Sequence, residues 1–249
     1  MTLGLILAAS VAFVRAQALK LEPSALKRPR VESVFSPVCG CDDKRTASLA
    51  FGLRRASRVD AQMIDSEARP VRTLVDGTVR PAGRIRLDWD GLDDAGRLVP
   101  DGPYRLRLVL DDEREVVVPL PVVVDTRAPR AALTAITPRV IAAPLREGGR
   151  RRGARRRPQR AASRAMPVAV RYRSTEAGRA TLLVDGTMVV RTGRRPPGRR
   201  ALRWDGRLEG RALAAGVYEL SLRVRDRAGN SSSPTRSLPL RVRRLRRPR

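Results

Sequence analysis

The chain has 249 residues, no histidine and a formal net charge of +27, with 3% aromatic residues and 19 each of glycine and proline. This length predicts two domains with separate cores. The absence of histidine removes the commonest general base and metal ligand, and with them the Ser-His and Cys-His pairings of most hydrolases. Few aromatic residues, many Val and Leu, and frequent Gly and Pro favour short strands and turns, so the composition predicts an all-β protein.

The charge is distributed unevenly along the chain. Residues 46–125 carry a net charge of −2, whereas residues 126–249 carry +26. Only three of the 52 basic residues are lysine, so the codon bias of a GC-rich genome competes with selection for charge as the explanation. The excess charge therefore belongs to the second half of the chain.

An apolar run, Leu3–Val14, lies at the N-terminus. It is shorter than the roughly 20 residues of a membrane-spanning helix and close in length to a signal-peptide core. Residues 16–18 (Ala-Gln-Ala) resemble a cleavage site, but no basic residue precedes the run and Arg15 follows it. A start codon further upstream would make the run part of an uncleaved anchor. We expect residues 1–20 to form a short apolar helix that anchors the chain, is cleaved as a signal peptide, or packs on a core.

Downstream of residue 45, apolar and polar residues alternate in short runs separated by turn residues, which predicts strands. The alternation is clearest in Tyr104–Leu110, whose even-numbered residues would share the buried face of one strand. Pro129 closes this module because proline cannot continue a strand ladder. The predicted strands of the first module are Ala47–Leu53, Val59–Asp65, Val71–Leu74, Arg84–Trp89, Gly102–Leu110 and Glu115–Val124.

Nine arginines and three glycines lie between Arg146 and Arg164, with almost nothing large and apolar. Such a composition cannot bury enough surface to offset the entropy of chain ordering. It predicts a disordered Arg-rich insertion or linker at about residues 146–164, after a strand-like stretch at Ala132–Ala143. A basic tail at residues 244–249 ends the chain.

One turn motif occurs twice, 115 residues apart. Each copy begins with Trp-Asp-Gly and reaches a Gly-x-Tyr, and the spacing from Trp to Tyr is 15 residues in one copy and 14 in the other. Tryptophan would end one strand against the core, aspartate would bond turn amides, glycine would supply a positive φ, and the tyrosine hydroxyl would reach backbone. The residues of the motif are Trp89, Asp90, Gly91, Gly102 and Tyr104 in the first copy, and Trp204, Asp205, Gly206, Gly216 and Tyr218 in the second.

This repeat resembles the Ig-like module of the flagellar hook-capping protein and its relatives in secreted bacterial proteins. Residues 59–74 are similar to the strand-turn-strand that precedes the motif in that family, and Asp226–Ser231 is similar to a turn near the last strands of many bacterial Ig-like repeats. The resemblance implies two Ig-like β-sandwich modules. They would cover residues 31–125 and, in a more degenerate copy that contains the Arg-rich insertion, residues 131–243.

Cys39 and Cys41 stand where these relatives often carry a Ser-Pro-Asn-Gly-Asp-Gly loop rich in oxygen ligands. Here the segment Ser36–Asp43 keeps little of that acidic set, so calcium binding is not carried over and no metal or cofactor is expected. The two cysteines could form a Cys-Gly-Cys disulfide outside the cytoplasm. They could also stay inert, pair with another molecule, or take part in metal or redox chemistry.

Carboxylates in the first turn are the only candidates for catalysis, as an acid and base pair. Turn capping explains them better, and the second copy lacks counterparts of three of them, so we expect no enzymatic activity. These carboxylates are Asp90, Asp93, Asp94 and Asp101.

The leading hypothesis is a non-catalytic, extracytoplasmic Ig-like protein, membrane-anchored or secreted, that serves as a surface scaffold, adhesion or spacer module. Its partners would be the membrane, through the N-terminal run, and anionic cell-wall polymers or surface proteins. The alternative is a basic protein that binds nucleic acid or another anionic polymer. Nucleic acid is disfavoured because stacking aromatic residues are absent from the Arg-rich runs. The arginines that could bind anions are Arg150, Arg151, Arg152, Arg155, Arg156 and Arg157.

Overall fold

The computed structural model describes residues 26–111, 114–143 and 167–244. These residues form strands, turns and loops and contain no helix, so the prediction of an all-β protein is confirmed. Over the same ranges, nothing has the helical length and apolar character needed to cross a bilayer. The expected N-terminal helix at residues 1–20, the insertion at about 146–164 and residues 245–249 of the tail lie outside the described residues.

Nineteen strands are present in the described part of the chain. In chain order they are β1 (Leu26–Val31), β2 (Val34–Phe35), β3 (Ala47–Leu53), β4 (Ser57–Ile64), β5 (Pro70–Arg80), β6 (Gly83–Trp89), β7 (Gly102–Leu110), β8 (Arg114–Val117), β9 (Val122–Val124), β10 (Ala131–Thr137), β11 (Val140–Ala143), β12 (Val168–Ser174), β13 (Gly178–Val184), β14 (Thr187–Arg195), β15 (Gly198–Trp204), β16 (Arg207–Leu208), β17 (Arg211–Ala212), β18 (Gly216–Arg225) and β19 (Leu238–Arg244).

The chain divides into two compact units. The first contains residues up to 33 together with 46–124, and the second contains residues 34–45 together with those from 125 onward. Residues 34–45 thus group with the second unit, although they lie in the sequence range drawn for the first module. The module boundaries 31–125 and 131–243 remain predictions.

The first unit has one sheet in the order β1-β3-β6 and a second in which β9, β7, β4 and β5 follow one another, with β8 also paired to β7. In the second sheet, β4 and β7 send alternate apolar side chains inward, as their burial patterns show. Each fully buried large apolar side chain stabilises the fold by roughly 1.5–3 kcal/mol. The largest fully buried side chains of this unit are Leu49, Phe51, Met63, Trp89, Leu106 and Leu108.

The second unit repeats this plan. One sheet has the order β10-β12-β15 and the other the order β11-β19-β18-β13-β14, while β16 and β17 form a separate small hairpin. All pairings are antiparallel except that of β11 with β19. The largest fully buried side chains of these two sheets are Trp204, Leu182, Leu220, Leu222 and Leu240.

The two units share one strand order. The sheet β1-β3-β6 corresponds to β10-β12-β15, and the run β9-β7-β4-β5 corresponds to β19-β18-β13-β14. Two antiparallel sheets that enclose one core are the arrangement of an Ig-like sandwich. The topology therefore repeats where the sequence motif repeats, since Trp89 ends β6 and Trp204 ends β15.

Two predicted strands are wrong in the same way. Glu115–Val124 is not one strand but two, β8 and β9, because Pro119 and Pro121 between them cannot donate to a ladder. Ala132–Ala143 also divides, at Pro138, into β10 and β11, which belong to different sheets. The expected strand in residues 71–74 is part of the much longer β5.

Candidate functional site

The first copy of the turn motif follows β6. Trp89 is buried, and its indole Nε1 donates a hydrogen bond to the carbonyl of Leu92 (3.0 Å). The Asp90 carboxylate accepts a hydrogen bond from the Leu92 amide (3.0 Å). Gly91 has a φ of 77°, a region in which glycine is free of steric penalty. Both polar groups of this turn are therefore bonded to its own backbone.

The second copy has the same geometry. Trp204 donates from Nε1 to the carbonyl of Arg207 (2.9 Å), and the Arg207 amide donates to the Asp205 carboxylate (3.0 Å). Gly206 has a φ of 76°. The two turns match bond for bond although the residue that closes the turn is leucine in one and arginine in the other.

Each motif ends on a tyrosine that bonds the backbone four residues upstream. Tyr104 donates from its hydroxyl to the carbonyl of Pro100 (2.8 Å), and Tyr218 donates to that of Ala214 (3.1 Å). The rings of Trp89 and Tyr104 meet edge to face, with centroids 5.1 Å apart, a favoured aromatic geometry. Burial raises the pKa of Tyr104. Gly102 and Gly216 begin the strands that carry these tyrosines.

Two further acidic residues of the first turn, Asp93 and Asp94, also accept hydrogen bonds from backbone amides. Asp93 accepts hydrogen bonds from the amides of Ala95 (2.9 Å) and Arg97 (2.8 Å), and the latter bond holds the pKa of the Asp93 carboxyl below its usual value. Asp94 accepts from the amide of Thr73 on β5 (2.8 Å). These carboxylates act as caps of the loop.

Cys39 and Cys41 are joined by a disulfide within the loop that follows β2. The loop packs against the turn between β18 and β19, because a Cβ added to Gly229 would lie 2.7 Å from Cys41 Sγ and 2.9 Å from Lys44 Cβ. All of these residues belong to the second unit. The cysteine loop is thus a packed part of that unit.

An ion pair adds to this contact. Arg225 Nη2 donates to Asp43 Oδ1 at 2.6 Å, and this bond holds the pKa of the Asp43 carboxyl below its usual value. Asp43 is largely exposed, and exposed ion pairs contribute little to stability. The pair therefore fixes the direction of the Arg225 side chain more than it stabilises the unit.

An acidic cluster, which the sequence did not reveal, lies beside the same turn. One carboxylate oxygen from each of Asp125, Glu176 and Asp226 lies within 4.8 Å of the others. Burial, followed by the two aspartate charges, raises the pKa of Glu176. Asp226 also caps the amides of Gly229 (2.7 Å) and Asn230 (2.9 Å). Oxygen clusters suit calcium, but Asp226 already serves the turn.

A basic groove lies along β14, β13 and β18 of the second unit. It has a volume of about 730 Å³. We call it the arginine groove, and its arginines are Arg179, Arg191, Arg194, Arg223, Arg225 and Arg227. The six arginines proposed from the sequence, Arg150 to Arg157, lie in the insertion outside the described ranges, so their role in anion binding stays a prediction.

Comparisons with known proteins give structural similarity only. No family model matches the chain, and no curated protein matches it. Fibronectin(III)-like modules of CbhA from Clostridium thermocellum align at 16% identity and a TM-score of 0.42, covering 87% of this chain and 95% of theirs. The human OSCAR ligand-binding domain aligns at 12% and 0.36, covering 86% and 99%.

A third similar structure comes from a 1.5-MDa bacterial ice-binding adhesin. It aligns at 18% identity and a TM-score of 0.34, covering 88% of this chain and 64% of that one. Identities this low describe a fold and not a function. The resemblance to the hook-capping module stays a prediction.

Proposed function

We propose that the chain is a non-catalytic, extracytoplasmic Ig-like protein that serves as a surface scaffold, adhesion or spacer module. The observation that carries this proposal is the turn motif, which has the same bonds in both copies. Its tryptophan, aspartate and tyrosine all bond to nearby backbone, so the motif rigidifies a sandwich. A repeated rigid module fits a spacer or display role.

A non-catalytic role is supported by the residues that chemistry would need. The chain has no histidine. Asp90, Asp93 and Asp94, three of the four candidate acids and bases, accept hydrogen bonds from backbone amides. A general base needs a free lone pair aimed at the substrate. These carboxylates are better suited to holding loops.

An extracytoplasmic location is supported by two features. The apolar run Leu3–Val14 suits an anchor or a signal peptide. The Cys39–Cys41 disulfide belongs to an oxidising compartment. The resemblance to hook-capping relatives agrees, because those modules occur in secreted proteins. We propose membrane anchoring, with secretion after cleavage as the alternative.

The test is fractionation of a C-terminally tagged protein in its native host, with protease added to intact cells stripped of their wall. A protease-sensitive tag in the membrane fraction is the expected result. Alkylation before and after reduction, read by mass spectrometry, should find both cysteines blocked until reduction. A protected cytosolic tag with two free thiols would contradict the proposal.

A second candidate function is binding of nucleic acid through the Arg-rich segments. The net charge of +26 in residues 126–249 favours it, since phosphate contacts release counterions and give salt-dependent affinity. A cytosolic protein whose affinity for duplex DNA falls steeply with salt would establish this candidate in place of the first.

A further inference from the structure

We propose that the arginine groove of the second unit binds a single chain of an acidic polysaccharide. The groove follows the outward-facing side chains of β14, β13 and β18. Its position on the sheet is independent of the Arg-rich insertion. Its arginines come from three strands and one turn, so the sequence alone did not bring them together.

Strand register places arginines directly opposite one another. Arg179 on β13 is paired with Arg194 on β14 and with Arg225 on β18. In the next outward row, Arg191 and Arg223 flank one residue of β13 from either side. Like charges that face each other across strands are destabilising. The row of Arg179, Arg194 and Arg225 is therefore unfavourable in the folded unit, and a bound anion would offset its repulsion.

Most arginines of the groove form no ion pair with a carboxylate of the described residues. Arg225 forms an ion pair with Asp43. For Arg179, Arg191 and Arg194, and for Arg223 between them, no carboxylate of the described residues is within salt-bridge distance. All four of these arginines are exposed. The groove thus presents free guanidinium groups to a ligand.

The first unit shows that the fold does not need these rows. When its β4-β7 pair is matched to β13-β18, Asp111 occupies the position of Arg225 and Asp60 that of Thr181. Both aspartates serve local backbone, because Asp111 accepts from the Arg58 amide (3.0 Å) and Asp60 from a turn glycine (2.6 Å). Arg58 stands at the position of Arg179, so the first unit keeps one of these arginines and builds the same register with aspartate in place of Arg225.

The spacing of the arginines selects the kind of anion. Neighbouring strands lie about 4.8 Å apart and successive outward residues of one strand about 7 Å apart. Guanidinium groups at such intervals suit a polymer with an anionic group on every one or two repeats, and their planar forks bind carboxylate or sulfate in bidentate fashion. Thr181 and Ser231 also line the groove, and their hydroxyls can bond sugar hydroxyls.

Other polyanions fit the groove less well. Among the residues that the structure describes, no aromatic side chain lines it, and single-stranded nucleic acid binds mainly by stacking on aromatic rings. Its volume of about 730 Å³ falls within the roughly 300–1,000 Å³ of small-ligand clefts. That space holds a few sugar units, whereas a lipid bilayer presents a broad flat surface. An acidic glycan is the occupant that charge, shape and lining favour together.

The test compares two quadruple variants of the full chain for binding to polygalacturonate, by titration at fixed salt. The groove variant combines R179Q, R191Q, R194Q and R223Q. The control variant combines R171Q, R173Q, R199Q and R203Q, which removes the same charge from exposed positions of the other sheet of this unit. Both keep the Arg-rich insertion and tail. Thermal melts establish that both variants are folded.

We expect the groove variant to lose at least tenfold in affinity and the control variant less than twofold, with no binding to neutral dextran. Equal losses in both variants would overturn the proposal, because net charge would then explain binding. Unchanged affinity in both would also overturn it, as would tighter binding to duplex DNA or to anionic vesicles. The inference deepens the proposed surface role, and its biological setting rests on that role. The titration uses purified protein, so its result does not depend on the result of the cell fractionation that tests the proposed function.

Discussion

The two copies of the turn motif keep their anchors and change what lies between them. In the first copy the connection carries a bridge between Leu92 and Leu98 and the cap made by Asp93. In the second it carries the hairpin of β16 and β17. Tryptophan, aspartate and tyrosine make equivalent bonds in both. The fold is thus specified by a few anchors, and the loop between them is free to vary.

Removal of the anchor tryptophan should have the largest effect. Trp89→Ala and Trp204→Ala each leave a large cavity and should destabilise their own unit by about 3–5 kcal/mol. Each variant keeps one tryptophan as a reporter of the other unit. In urea, the fluorescence transition of the remaining tryptophan should stay at its wild-type midpoint while circular dichroism shows early loss of the altered unit. A matching shift of both signals would mean that the units unfold together.

The second-largest effect on stability is expected when the first residue of β13 is replaced by the residue that begins β4, and the reverse. Ser57 is buried at that position in the first unit, whereas Gly178 stands there in the second. A Cβ at Gly178 would lie 2.5 Å from Val224 Cγ1 and 2.6 Å from the carbonyl of Arg225. Gly178→Ser should therefore cost about 1–3 kcal/mol by overpacking.

Its counterpart Ser57→Gly should cost no more than about 1 kcal/mol, from backbone entropy and a lost hydroxyl. Urea denaturation of the two variants measures both values. An equal cost would show that the two strand starts have the same packing.

Loss of the tyrosine hydroxyl should destabilise the two units by smaller and unequal amounts. Tyr104 is buried and its hydrogen bond is 2.8 Å, whereas Tyr218 is half-buried with a bond of 3.1 Å. Tyr104→Phe should cost about 1 kcal/mol and Tyr218→Phe about half of that, because water replaces the partner more readily at an exposed site. Urea midpoints of the two variants, followed by the fluorescence of Trp89 and Trp204, check this order, and the reverse order would contradict it.

The smallest expected effect on stability concerns Glu176, which lies in the second unit. Its pKa is raised above the ordinary 4.5 by burial and by two aspartates, so ionisation disfavours the folded state and stability falls as pH rises past 4.5. Glu176→Gln should remove this loss. The variant should gain about half a kcal/mol at pH 7 and nothing near pH 3.5. Unfolding free energies across that range provide the measurement, and a gain of equal size at both pH values would contradict this cause.

Sequence patterns predicted the strands that alternate and failed where proline interrupts. Residues Ala47–Leu53 and Gly102–Leu110 were predicted with the bounds of β3 and β7, because large apolar side chains recur at every second position of both. The run Glu115–Val124 has strand-forming residues throughout, yet Pro119 and Pro121 divide it. The prediction followed the strand-forming composition and did not allow for the two prolines, which lack the backbone N–H that a strand ladder needs. β1 and β2 were missed because neither shows a clear alternation of apolar residues.

The candidate sites were harder to predict because their residues lie far apart in the sequence. The turn motif is local, so its spacing alone indicated which atoms would meet. The acidic cluster joins residues about 50 positions apart, and the arginine groove depends on the register of three strands. A signal did exist in the groove, since Arg223 and Arg225 occupy alternate positions of one strand. Only the strand pairing in the structure shows that Arg179 lies opposite Arg225.

The strand β14 has a further consequence for how the protein behaves in solution. Among the described strands it lies at one end of its sheet, paired with β13, and its C-terminal end carries the exposed residues Arg194 and Arg195. An unpaired strand edge is a template on which another chain can add by backbone pairing, and charged side chains at the edge oppose such addition. Two copies that approached through this edge would bring arginine against arginine. The arginine charge at this edge therefore opposes edge-to-edge association of one molecule with the next.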